Sequence, residues 1–84
     1  MSFFNDFIKS IEIDDMGNKI YCSIVFDCGI KITANFKIET LQENEIVLKC
    51  KKTRIKVLGE NLSIASFSKG EIEISGNVNG VIKL

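Results

Sequence analysis

The sequence predicts an all-β domain, a small curled antiparallel sheet of seven to nine short strands, and three observations predict it. Apolar and polar residues alternate through most of the chain, as in Ile20/Cys22/Ile24 and Ile72/Ile74, and a period of two places alternate side chains on one face of a sheet. Isoleucine and valine are abundant within the 45% of residues that are apolar, which suits a pleated, half-buried surface. The alternating runs are broken by glycine and by Asn/Asp clusters, the residues of tight turns. Strands this short and this regularly punctuated close into a barrel-like roll or a sandwich. The alternative is a short β-solenoid, which at this length would have only a few rungs and would need capping or polymerisation.

A chain of 84 residues makes a single domain, 1–84, near the lower size at which one core holds without staples. Eleven basic and eleven acidic residues cancel, so a global electrostatic footprint for nucleic acid or an anionic membrane is missing. The cysteines number three, at Cys22, Cys28 and Cys50, with no CxxC pair. That argues against a disulfide framework and a zinc ribbon and points to a reducing, cytoplasmic setting. Cys22 and Cys50 fall in the apolar frame of their strands and read as small hydrophobes. Residues 1–10 lack the basic start and apolar stretch of a signal peptide, and no run approaches the ~18 apolar residues of a membrane span.

Phe3, Phe4, Phe7 and Ile8 share one helical face, with Ser2 able to cap, so residues 1–10 are expected to form a short helical segment. It would close one end of the sheet or anchor a partner or membrane surface. Ile11 and Ile13 open the strands, and Asp14-Asp15-Met16-Gly17-Asn18 reads as a turn. One even-numbered apolar frame then holds from Ile20 to Cys50, which suggests a meander of adjacent antiparallel strands. The frame slips at Ile55 and Val57 and returns at Leu62 and Ile64, so a bulge or irregular corner is expected near Lys51–Arg54 or Gly59. Asn79-Gly80 reads as a two-residue hairpin turn pairing Val78 with Val81. Gly59, Gly76 and Gly80 are therefore assigned to turns or bulges. No proline protects an edge strand, and self-association through a sheet edge is expected.

The chain has no histidine, which removes the usual general base and the usual partner of a serine or cysteine nucleophile. Asp14-Asp15 lacks a third ligand at a recognisable spacing, Glu71 and Glu73 read as the solvated face of a strand, and no glycine-rich phosphate loop occurs. The expectation is a non-enzymatic protein with no catalytic, cofactor-binding or metal-binding residues. The one departure from even charge mixing is Lys49, Lys51, Lys52, Arg54 and Lys56, five of the eleven basic residues within eight positions. This cluster, with Phe3, Phe4 and Phe7, is the candidate contact for an acidic protein partner or a phospholipid headgroup, set against a plain solvated edge. Nucleic acid is not expected, because Tyr21 is the only Tyr or Trp and no recognition element appears.

The C-terminal half carries two linked patterns, Val57, Gly59, Leu62 and Ile64, then Ile72, Ile74, Gly76 and Val78. This arrangement resembles the YabP/YqfC family of sporulation proteins, weakly extended through Ile30–Cys50, while residues 1–15 match nothing. Bactofilin-like polymer domains have similar stretches. The resemblance implies a non-enzymatic protein-interaction module of endospore formation, made in the mother cell, acting with a polytopic membrane-protein partner in coat and cortex assembly. Its place would be peripheral, at the forespore outer membrane. The alternative implied is a β-polymer or scaffold subunit.

Overall fold

A computed structural model describes residues 8–15, 17–25 and 28–84. They form seven strands: β1 (Ile8–Asp15), β2 (Asn18–Val25), β3 (Gly29–Thr33), β4 (Lys37–Leu41), β5 (Glu45–Lys49), β6 (Arg54–Ser68) and β7 (Glu71–Lys83). No helix occurs among the described residues. Ile8, Lys9 and Ser10, which the sequence placed in the N-terminal helical segment, open β1 instead. The Phe3/Phe4/Phe7 cluster lies outside the described residues.

All pairings are antiparallel in one sheet of order β1-β2-β3-β7-β6-β5-β4. Among the described residues the sheet is open, with β1 and β4 at its edges, so these residues form no closed barrel, and its antiparallel order also rules out the solenoid. The single meander expected from Ile20 to Cys50 is corrected too: β3 pairs with β7, not with β4. Two meanders, β1-β2-β3 and β4-β5-β6-β7, are joined through the last strand.

The sheet bends because its two longest strands serve different neighbours along their lengths. The first part of β6, Arg54–Leu58, pairs with β5, whereas the first part of β7, Glu71–Ser75, pairs with β3. The β6–β7 ladder breaks register at Ile64/Ser66, beside the β3-paired part of β7, and again at Leu58/Gly59 and Glu60/Ser63, between these halves. Asn61 (φ 56°) and Gly76 (φ 130°) take left-handed backbone there, as bulged strands do where they turn a corner. A single layer would be about 10 Å thick. The molecule measures 35 × 26 × 22 Å, so the sheet folds over on itself.

The expected hairpin turn at Asn79-Gly80 does not form. β7 runs through it, with Leu58 opposite Gly80 and Gly59 opposite Val78, so Asn79 is the extra residue of a bulge. The chain reverses at Lys69-Gly70 instead, where Gly70 has φ 85°.

The folded sheet encloses one core. Ile20, Cys22 and Ile24 of β2, Ile30 and Ile32 of β3, Ile46 and Leu48 of β5, Ile55 and Val57 of β6, and Ile72, Ile74 and Val78 of β7 are all buried in it. Ile11 and Ile13 pack against it because they stand opposite Cys22 and Ile20. Burial raises the Cys22 thiol pKa to about 11, with Cys50 nearby as a second cause. Cys22 therefore stays protonated and packs as an apolar side chain.

Candidate functional site

Four chain segments converge at one end of the folded sheet: the β1–β2 turn, the β3–β4 link, the end of β5 with its corner into β6, and the β6–β7 turn. Together they line a groove of about 1000 Å³ through Gly17, Asn18, Asn35, Phe36, Lys37, Lys49, Cys50, Lys51 and residues 67–70.

Asp15 holds this end together. It is 1% exposed, which the sequence did not reveal, because Asp14-Asp15 looks like ordinary turn chemistry. Asp14 does make the turn, its Oδ1 accepting the Gly17 N–H at 3.0 Å. Asp15 faces inward and reaches the β5–β6 corner, where the Lys52 N–H donates to both carboxylate oxygens at 3.0 Å. Burial alone would raise the Asp15 pKa. The Lys52 N–H, the Thr53 side chain and the Lys51 N–H outweigh it, with a further lowering from the Asn18 amide, and the carboxyl lies below its ordinary 3.8. That amide is not fully satisfied: Asn18 Nδ2 is buried without a well-formed hydrogen bond among the described residues.

The consequence for pH has a definite sign. A carboxyl whose folded pKa is depressed stabilises the fold above its unfolded value of 3.8, and that contribution is lost as pH falls through the lower, folded value. Asp15→Asn is expected to lower the melting temperature near pH 7 by on the order of 10 °C, since buried donors lose their anionic acceptor. It should also flatten the fall in melting temperature between roughly pH 5 and pH 2. Parallel melting curves for the two proteins across that range would show that Asp15 is not the group involved.

The other anchor is the Ala34 N–H, which donates to the Gly70 carbonyl at 3.0 Å and ties the β3–β4 link to the β6–β7 turn. This brings Phe36 against Phe67, their rings edge to face at 5.7 Å and 78°. Phe67 stands opposite the core residue Ile72 yet is 57% exposed, because it sits where the core opens into the groove.

The basic cluster singled out in the sequence divides. Lys49 and Lys51 line the groove. Arg54, the cross-strand partner of Lys49, pairs with Glu39 at 2.8 Å and Lys56 with Glu45 at 3.5 Å, so these two are neutralised. Lys52 is exposed, and its backbone is the Asp15 donor. Two lysines far away in sequence, Lys37 and Lys69, join Lys49 and Lys51 around the groove. Among the described residues none of the four has an ion-pair partner, and no Asp or Glu lines the groove. Lys37 and Lys49 are moreover direct cross-strand partners, a like-charge juxtaposition that destabilises a sheet. Sequence spacing shows Lys49 and Lys51 but cannot bring in Lys37 or Lys69, which arrive through the topology.

Gly59, Gly76 and Gly80 lie along the β6–β7 ladder, outside the groove lining. Among the described residues no three His, Cys, Asp or Glu side chains are grouped to hold a metal ion, and no helix is long and apolar enough to cross a membrane. No family model matches the chain, and neither the curated proteins nor the solved structures contain a significant match.

Proposed function

We propose that this chain is a non-enzymatic protein-interaction module of endospore formation, acting with a membrane-protein partner in assembly of the spore coat and cortex. The observation that carries the binding half of this reading is the groove: four lysines without ion-pair partners among the described residues, set around the half-buried Phe36 and the exposed Phe67. Such a surface attracts and seats an anionic partner, and uncompensated charge of one sign is what electrostatic recognition uses. A chain without histidine supplies no ready proton shuttle beside it. The sporulation half rests on the resemblance of Val57–Ile64 and Ile72–Val78 to the YabP/YqfC pattern, positions that lie on β6 and β7.

The test is genetic. In an endospore-forming host, deletion of the gene is expected to give spores with defective coat or cortex and reduced heat resistance. Normal, resistant spores from the deletion strain would overturn the sporulation role. A second reading, a β-polymer or scaffold subunit, is favoured by the two sheet edges, β1 and β4, which have no further strand beside them among the described residues. It requires filaments of the purified protein in electron micrographs, and a monodisperse monomer at high concentration would remove it.

A further inference from the structure

We infer that the lysine-rimmed groove, continued by the free edge of β4, is a docking site for an extended acidic segment of a partner protein. The segment would add as a strand to β4. This deepens the interaction-module reading and rests on it.

The charge pattern defines the occupant first. Alternation along β4 and β5 turns Ile38 and Leu48 toward the core, and so places their neighbours Lys37 and Lys49 on the outer side. There they form a rim with Lys51 and Lys69, around an apolar floor that includes Phe36 and Phe67. Elsewhere, Lys19, Lys31, Arg54 and Lys56 each have a carboxylate within 4.0 Å. Basic residues are thus paired over much of the sheet and left unpaired here, where two of them face each other across adjacent strands. An arriving carboxylate would relieve that repulsion, so its binding is stronger than a single exposed ion pair would give.

The shape of the site and the neighbouring edge define the occupant further. Lys37 is both a groove residue and the first residue of β4, whose side away from β5 has no strand among the described residues. A peptide leaving the groove along this edge meets backbone N–H and C=O groups without a partner strand among the described residues, interrupted only by the bulge at Glu39, whose carboxylate is already held by Arg54. Such groups are the requirement for strand addition. Leu41, exposed at the far end of β4, extends the contact with an apolar side chain. Nucleic acid fits less well. Phe36 and Phe67 meet edge to face and so do not offer parallel planes for successive bases, and no arginine lines the groove among the described residues. An anionic membrane fits less well too, because the lysines surround a concavity rather than crown a projecting face.

The probe is a synthetic peptide of alternating glutamate and valine with one central phenylalanine, titrated into the full chain and followed by amide chemical shifts. Expected are shifts confined to the groove and to Lys37–Leu41, slowed hydrogen exchange of β4 amides, and affinity that weakens with added salt. Lys37→Glu should weaken binding by about tenfold or more through like-charge repulsion of the peptide. It should at the same time leave melting unchanged or raise it, because a carboxylate at that position would stand opposite Lys49. A purely structural lysine would lose stability along with binding. Lys83→Glu, on β7 and outside the groove lining, should change neither.

Tighter binding of oligothymidylate, tighter binding of vesicles containing phosphatidylglycerol, or dimerisation through β4 in place of peptide binding would each overturn the proposal. So would a folded protein that ignores the peptide at low salt. Peptide binding together with normal spores in the deletion strain would keep the docking site and discard the sporulation role. Defective spores with no peptide binding would do the reverse.

Discussion

Gly59→Ala is expected to destabilise the protein by about 3 kcal/mol, at the upper end of overpacking changes, and to lower the melting temperature by roughly 15 °C or more. A Cβ at this position would run into the backbone carbonyl oxygen of Asn77 and would lie 2.9 Å from Leu62 Cδ2. Neither neighbour can yield cheaply. Asn77 belongs to β7 at the register break, and Leu62 is buried in the core at the same bend. Relief would require the two strands to separate where the sheet folds over. Gly80→Ala is the built-in control: nothing lies within 4 Å of its added methyl, and its φ is not in the left-handed range. It should stay within about 0.5 kcal/mol of the parent, as surface changes usually do. Equal melting temperatures for the two variants would mean that the bend is not closed at Gly59.

Ile72→Ala is expected to cost about 3 to 4 kcal/mol, within the range for emptying a buried aliphatic site. Ile72 is 0% exposed and stands in the middle of the sheet, opposite Ile32 of β3 on one side and Phe67 of β6 on the other. The cavity cannot collapse by a loop movement, because both neighbours are held by ladder hydrogen bonds. For a domain of this size, total stability is on the order of 4 to 12 kcal/mol, so the variant would lose a large fraction of it. Chemical denaturation checks the value, and a loss below about 1 kcal/mol would place Ile72 outside the cooperative core.

The fold class and most of the core were legible because alternation reports directly which face a residue takes. Ile20, Cys22, Ile24, Ile30, Ile32, Ile46, Leu48, Ile72 and Ile74 are buried on that basis alone. Alternation does not report which strand lies alongside, and so β3 was placed next to β4 when its partner is β7. Asn79-Gly80 has the composition of a tight turn. Its neighbours Val78 and Val81 nonetheless pair with Gly59 and Val57, and that ladder carries β7 straight through. Asp15 was hidden by Asp14: adjacent acidic residues on a strand point to opposite faces, and only the folded sheet shows that one of those faces has Lys52 above it. The groove was half legible. Lys49 and Lys51 share a face by spacing, but the pairing of Arg54 with Glu39 and the arrival of Lys37 and Lys69 depend on tertiary contacts that no local pattern encodes.

The position of β7 between β3 and β6 has a consequence for how the protein is made. It is the last of the seven strands to leave the ribosome, yet it supplies the pairing that joins β1-β2-β3 to the rest. Until Glu71–Ser75 emerges, β3 has an unpaired side and the two meanders have no common ladder. The β3–β7 and β6–β7 ladders therefore form only after synthesis of this domain is nearly finished, a late and partly non-local assembly that slows folding and leaves strand edges open meanwhile. The nascent chain is a natural client for a holding chaperone, and stalling translation before Ile72 would yield an aggregation-prone fragment rather than a smaller folded sheet.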